Sequence, residues 1–381
     1  MQTDKHTKLA RPALGRYGRN EWAILGAPCG IIQSLAADVI HAFSGRYACA
    51  WLDADHAAAD QTLDLPGMLA AGARMEWTDQ INSQRLQMSG MPALHRFRTL
   101  FNDSDLVLLN GNHHEAAAQI VILDPAKENS LRKRLNQLTN VRLILRSDPA
   151  VPVFDFLKEH LPGLPDIPQL DLADRQGILR FFEQEMNRRR PPLHGLVLAG
   201  GQSRRMGRDK GEIRWHGRPQ REYLADLLRP LCGEVYLSAR AGQQIDSAVQ
   251  VLTDTFADLG PYGAILSAFR SQPDAAWLVV ACDLPLLDAE TLRFLADNRA
   301  VGATATAFRS PHDDMPEPLI AIWEPKSYAQ LLSFLAQGYS CPRKVLLNTD
   351  TRLLDAPRAA ALTNVNTPEE LEKLGFNLLE L

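Results

Sequence analysis

The residues with the most chemical content lie between Leu196 and Gly211, in the run Leu-Val-Leu-Ala-Gly-Gly-Gln-Ser-Arg-Arg-Met-Gly-Arg-Asp-Lys-Gly. Ala199, Gly200 and Gly201 remove side-chain bulk at the end of an apolar run. A backbone without Cβ atoms turns sharply and lets its N–H groups approach phosphate oxygens. Arg204, Arg205, Arg208 and Lys210 follow within seven residues and concentrate positive charge. Small backbone followed by clustered cations suits a polyphosphate. Neither of the commoner phosphate loops is present here: there is no Gly-x-x-x-x-Gly-Lys-Ser/Thr and no Gly-x-Gly-x-x-Gly.

A second chemical position is Asp283, in Cys282-Asp283-Leu284-Pro285, directly after the apolar run Ala276–Ala281. A carboxylate just past a buried strand stands at the carboxyl edge of a sheet, where α/β proteins place ligands. Magnesium favours carboxylate and phosphate oxygens, so Asp283 is the expected metal ligand. Asp254 ends another apolar run, and Asp258-Leu-Gly-Pro-Tyr-Gly263 follows it. Asp254 can accept from a base or ribose donor or cap the next helix. Thr367, Pro368 and Glu370 have the spacing of a helix capping box with Pro at the first helical position.

These elements lie in an α/β order. Gln220 to Leu228, Ala264 to Arg270, Asp288 to Asn298 and Pro325 to Gln337 read as helices. Glu234 to Ser238, Val249 to Asp254, Ala276 to Ala281, Ala303 to Phe308 and Pro316 to Trp323 read as strands. A mostly parallel sheet follows from that alternation. The pattern Leu-Ala-Gly-Gly-x-Ser-x-Arg-Met-Gly-x-Asp-Lys resembles the signature loop of nucleotidyltransferases, and among them most resembles molybdenum cofactor guanylyltransferase. Cys-Asp-x-Pro at Cys282 and Asn364-Val-Asn-Thr-Pro-Glu-Glu-Leu371 resemble further motifs of that family. The resemblance covers nearly all of residues 194–381.

The resemblance implies transfer of GMP from GTP to the phosphate of molybdopterin with release of pyrophosphate and with Mg2+ as cofactor. It implies catalytic roles for Lys210, Asp283 and Arg204. Nucleotide contacts are implied at Leu198, Ala199, Gly200, Gly201, Ser203, Lys210, Ser238, Asp254, Gly260 and Pro261, and acceptor contacts at Arg343, Lys344, Asn364 and Asn366. Ser238 departs from the family's asparagine, and Gly260-Pro261-Tyr262-Gly263 is one residue tighter than the family's turn. A cytidylyltransferase, a sugar-phosphate nucleotidyltransferase or a non-catalytic nucleotide binder are the alternatives. Ala199-Gly200-Gly201 resembles the guanine-using form, since cytosine-using relatives tend to have Ala-Ala-Gly.

The N-terminal half is read as strand, Gly-rich turn and helix from Glu21 to Phe43, the layout of a P-loop without its chemistry. Counted from Gly26, the lysine position falls on Ile32 and the hydroxyl position on Gln33. Strands are expected at Tyr47 to Leu52, Asp105 to Asn110, Gln119 to Leu123 and Val141 to Leu145, and a helix at Arg175 to Asn187. Asp53, Asp55 and His56 could bind a metal or cap a turn. Adjacent His113 and His114 diverge and make a poor chelate. With Asn110 where an acid usually stands, Asp-Leu-Val-Leu-Leu-Asn-Gly resembles a strand of the molybdopterin-guanine dinucleotide biosynthesis adaptor. The resemblance implies a degenerate adaptor domain over residues 1–190, docking a molybdoenzyme or cofactor donor, before a transferase domain over 191–381. Pro191 and Pro192 mark the break.

The whole chain of 381 residues carries a formal net charge of -4, which disfavours a nucleic-acid partner. It lacks a long apolar run, so no membrane span is expected. Five scattered cysteines without Cys-x-x-Cys fit a reducing, cytoplasmic setting.

Overall fold

The computed structural model describes residues 8–55, 67–90, 93–200 and 209–373. They form two compact units. The first holds residues 14–45 and 49–185; the second holds residues 8–13, 46–48 and 186 onward. The division falls inside a helix at residue 185, because that helix runs on to Arg188 before the Pro pair. His56, Gly201, Ser203, Arg204, Arg205 and Arg208 lie outside the described residues.

In the first unit the order is β1 (Glu21–Leu25), α1 (Cys29–Phe43), β2 (Cys49–Leu52), α2 (Gly67–Ala70), β3 (Met75–Gln80), β4 (Ser83–Met88), α3 (Leu94–Leu100), β5 (Leu106–Asn110), β6 (Ala118–Leu123), α4 (Glu128–Arg132), β7 (Val141–Arg146), α5 (Asp155–His160), β8 (Gln169–Asp171) and α6 (Arg175–Arg188). Six strands make one sheet in the order β2-β5-β1-β6-β7-β8, and every pairing is parallel. β1, β5 and β6 are buried along their whole length. Continuous apolar strands of this kind need cover on both faces. α1 buries Ile32, Leu35, Ala36, Val39 and Phe43, spaced for one helical face. α6 brings Phe181 and Phe182 edge-on to Trp22 of β1. Gly26 has φ +92, and a Cβ there would overlap the Ile122 carbonyl, so the turn after β1 requires glycine. β3 and β4 form a separate antiparallel hairpin.

The second unit contains β9 (Leu193–Leu198), α7 (Gln220–Leu228), β10 (Val235–Ala239), β11 (Gln250–Thr253), α8 (Pro261–Ser271), β12 (Ala276–Ala281), α9 (Ala289–Asp297), β13 (Ala305–Arg309), β14 (Pro316–Trp323), α10 (Ser327–Ala336), α11 (Pro342–Leu347), β15 (Thr351–Leu354) and α12 (Pro368–Lys373). Its sheet runs β11-β10-β9-β12-β14-β13-β15. β14 runs antiparallel to both neighbours, and the other pairings are parallel. The expected mostly parallel α/β sheet is therefore present. Cores lie on both faces, one around Leu224, Leu228 and Leu278, the other around Tyr262, Phe269 and Trp277. Asp288 caps α9, its carboxylate accepting from the Thr291 N–H at 2.8 Å. That role leaves Asp283 free of capping duty.

Candidate functional site

Parallel pairing of β11, β10, β9 and β12 brings their carboxyl ends to one edge. A cleft of about 570 Å³ opens there. Leu198, Ala199 and Gly200 enter it from β9, Ser238 from β10, Asp254 from the end of β11 and Asp283 from the end of β12. Gly260 and Pro261, at the start of α8, and Lys210 also line it. Thus every nucleotide or catalytic residue expected from the sequence that lies within the described residues lines a single cleft. Gly201, Ser203 and Arg204 fall in the undescribed 201–208 segment.

The centre of the cleft is a charged cluster. Lys210 Nζ donates to Asn366 Oδ1 at 2.8 Å and lies 3.6 Å from Asp283 Oδ2. The Val365 N–H donates to the Asp283 carbonyl at 2.8 Å, which ties the segment before α12 to the end of β12. That segment is fixed in turn by α12. Thr367 Oγ1 accepts from the Glu370 N–H, while the Glu370 carboxylate accepts from the Asn366 N–H. The capping box is thus a structural device with a functional product: it presents Asn366 to Lys210. Burial raises the Asp283 carboxyl above its ordinary range, and the Lys210 ammonium opposes that rise. A half-buried carboxylate beside a cation is a poised electrostatic site.

Asp254 forms a second polar position. Ser238 Oγ donates to Asp254 Oδ1 at 2.9 Å. Burial pushes the Asp254 carboxyl up to about 6, against the Ser238 hydrogen bond. The turn beyond Asp254 is held by Ser267, whose hydroxyl accepts from the Thr255 N–H at 2.8 Å and donates to the Gly263 carbonyl at 2.6 Å. A Cβ at Gly263 would overlap the Phe256 carbonyl, so this close approach requires glycine.

None of the four expected acceptor residues, Arg343, Lys344, Asn364 and Asn366, is among those that line the cleft; Asn366 reaches it only through its hydrogen bond to Lys210. Arg343, on α11, donates to Asp313 at 2.8 Å and to Glu317 at 3.3 Å. Glu317 contributes to the field at Asp283, so Arg343 is linked to the cleft through that carboxylate. Lys344 sits over the Tyr339 ring at 4.9 Å, and Asn364 is exposed. Asp209 and Gln243 line or bridge the cleft without a sequence reading of their own. Gln243 Nε2 reaches the Ala199 carbonyl at 3.3 Å and Asp209 Oδ2 at 3.4 Å, joining both sides of the 201–208 segment. Asp209 had a signal, its place beside Lys210 in the loop pattern; Gln243, in an irregular turn, had none.

Among the described residues no three His, Cys, Asp or Glu side chains cluster as a metal cage. The donors at the cleft are hard oxygens, the Asp283 carboxylate and the Asn366 amide. Such oxygen donors suit a magnesium ion that keeps water and takes its other ligands from phosphates. Asp53 has a local role, accepting from the Ala54 N–H at 2.8 Å.

A family model described as the MobA-like NTP transferase domain matches residues 195–352. A molybdenum cofactor guanylyltransferase of Pseudomonas fluorescens is 30% identical over 186 residues, covering 48% of this chain and 92% of that protein. The chain belongs to the molybdenum cofactor guanylyltransferase family. A molybdenum cofactor biosynthesis bifunctional protein of Synechocystis sp. is 34% identical over 182 residues, 47% of this chain. The match spans about half, 52%, of that bifunctional relative. A solved structure of a MobB protein homolog from Bacillus stearothermophilus aligns with a TM-score of 0.32 at 15% identity, covering 44% of this chain and 99% of that one. The matched residues 195–352 contain the β9–β12 cleft. No helix among the described residues is long and apolar enough to cross a membrane.

Proposed function

We propose that the chain transfers GMP from GTP to the terminal phosphate of molybdopterin. An acceptor phosphate oxygen attacks the α-phosphorus, the bond to the β-phosphate breaks, and pyrophosphate leaves. The observation that carries this reading is the pairing of Lys210 and Asp283 in the cleft of a guanylyltransferase-family domain, with Asn366 hydrogen-bonded to Lys210. Two anions must meet, so the main task is to offset charge. Lys210 places an ammonium where the nucleotide phosphates would lie. Asn366 orients Lys210 through the 2.8 Å hydrogen bond. Backbone groups of Leu198, Ala199 and Gly200 are assigned to the guanine, and Asp254 to a nucleotide N–H or O–H donor. Asp283, with Asn366 beside it, would hold Mg2+, which supplies Lewis-acid screening of phosphate charge when bound. Arg204 and Ser203 are assigned to the phosphates, and Arg343, Lys344 and Asn364 to the acceptor. The free cysteines support the cytoplasm as the compartment.

The test is pyrophosphate release by the full chain with Mg2+ and molybdopterin, offered GTP, CTP, ATP and UTP in turn. Release with GTP alone is expected. Release with CTP alone would move the chain to cytidylyl transfer, and release with none despite GTP binding would refute transfer to this acceptor.

A further inference from the structure

The carboxyl edge of the N-terminal sheet holds a second group of reactive side chains. Cys29 is the first residue of α1, a helix of 15 residues. Its N-cap is Pro28, which supplies no side-chain cap. The first-turn N–H groups of a helix favour a negative charge placed beside them. β5 pairs with β1 in parallel, so the segment after Asn110 arrives next to this helix start. From that segment His113 sets Nε2 3.4 Å from Cys29 Sγ. Asn112 Nδ2 donates to the Ala27 carbonyl at 2.9 Å and reaches Cys29 Sγ at 3.9 Å.

An independent observation concerns Asn110, which is fully buried. Its Oδ1 accepts from the Asn112 N–H at 3.1 Å, which sets its amide beneath the turn carrying Asn112 and His113. Its Nδ2 has no hydrogen-bond partner among the described residues. A buried donor left unpaired costs ~1–3 kcal/mol, and an oxygen brought by a ligand would repay it. A thiol, an imidazole within reach and nearby amide donors are the components of thiol acyl transfer.

We propose that Cys29 and His113 form a nucleophilic pair that takes an acyl group from an ester or thioester. Cys29 Sγ bonds to the carbonyl carbon, and its proton passes to His113 Nε2. The carbonyl's bond to the departing oxygen or sulfur breaks, and the leaving group takes the proton. Water then cleaves the new thioester and restores the thiol, so no oxidant or reductant enters. Burial pushes the thiols of Cys49 up to about 11 and Cys232 up to about 12, and raises that of Cys282 further. Cys341 is exposed and serves as an internal reference.

The experiment incubates the full chain with p-nitrophenyl acetate and follows acetylation of each cysteine peptide by mass spectrometry. Cys29 is half-buried and Cys341 exposed, so access alone favours Cys341. The pair predicts the reverse, with Cys29 acetylated at least tenfold faster. His113→Asn should slow Cys29 by about 100-fold, the scale of one general base, and leave Cys341 unchanged. Cys29 reacting no faster than Cys341 in the wild-type chain overturns the proposal without any variant. An unchanged Cys29 rate in a folded His113→Asn chain also overturns it.

Discussion

Two sheets in this chain present parallel carboxyl edges, and their edges carry different chemistry. At the C-terminal edge, Lys210, Asp283, Asp254 and Ser238 project into one cleft. At the N-terminal edge, the position that would hold a phosphate-binding lysine is Ile32, wholly buried on the inner face of α1. The strand-end acid is replaced by Asn110, also buried. The backbone layout of a phosphate loop is kept there while its charges are gone. Parallel topology provides a crevice, but which crevice handles nucleotide depends on the side chains at the strand ends. The comparison supports the proposals of nucleotide transfer at the C-terminal edge and of thiol chemistry at Cys29 on the N-terminal edge.

Variants can break or sharpen this division. The largest expected effect is from Asp283→Ala, which should lower pyrophosphate release at least ~100-fold, the loss expected for one transition-state stabiliser. Turnover within about threefold of wild type would remove Asp283 from the reaction. At the other edge, Ile32→Lys should not restore a phosphate site. It should bury an ammonium in the packed face of α1 and cost about 2–3 kcal/mol in chemical denaturation. Unchanged stability together with new GTP hydrolysis would show that the edge is a dormant phosphate loop.

Asp254 gives a pH signature. Its native carboxyl titrates at about 6 against an ordinary 3.8, because burial disfavours the ionised form. Between those values the native state keeps a proton that the unfolded chain has released. Its contribution to stability therefore declines as pH rises through that window. Asp254→Asn should flatten the dependence and add about 1–2 kcal/mol above pH ~6. If the ionised carboxylate accepts from GTP, the wild-type KM for GTP should fall as pH rises from about 5 to about 7 and the variant's should not. A parallel profile in Asp254→Asn would reassign the titration. The smallest effect is expected from Asn366→Ala, which deletes one hydrogen bond to Lys210 and should cost about fivefold in turnover, the worth of ~1 kcal/mol. An unchanged rate would make Asn366 a bystander of the capping box.

Much of this was legible in the sequence because the chemistry sits at strand ends. Ala276–Ala281 is apolar throughout and is followed at once by Cys282-Asp283, so strand, edge and carboxylate are read together. Gly26, Gly200 and Gly263 mark turns where backbone approaches backbone or must adopt a left-handed conformation. Arrangements that depend on three-dimensional return of the chain were not legible. Gln243 reaches Ala199 across 44 positions, and Lys210 meets Asn366 across 156. The antiparallel entry of β14 has no local sign either, because a buried strand reads the same in both directions. Only the fold could bring Cys29 to His113 across 84 positions.

The most direct test of the central claim is the stoichiometry of GTP binding to the full chain, measured by equilibrium dialysis with Mg2+ for the wild type and for Lys210→Ala. The account predicts one GTP per chain, weakened at least tenfold by the substitution. Two GTP per chain, or one whose affinity is untouched by Lys210→Ala, would place nucleotide at the N-terminal edge and contradict it.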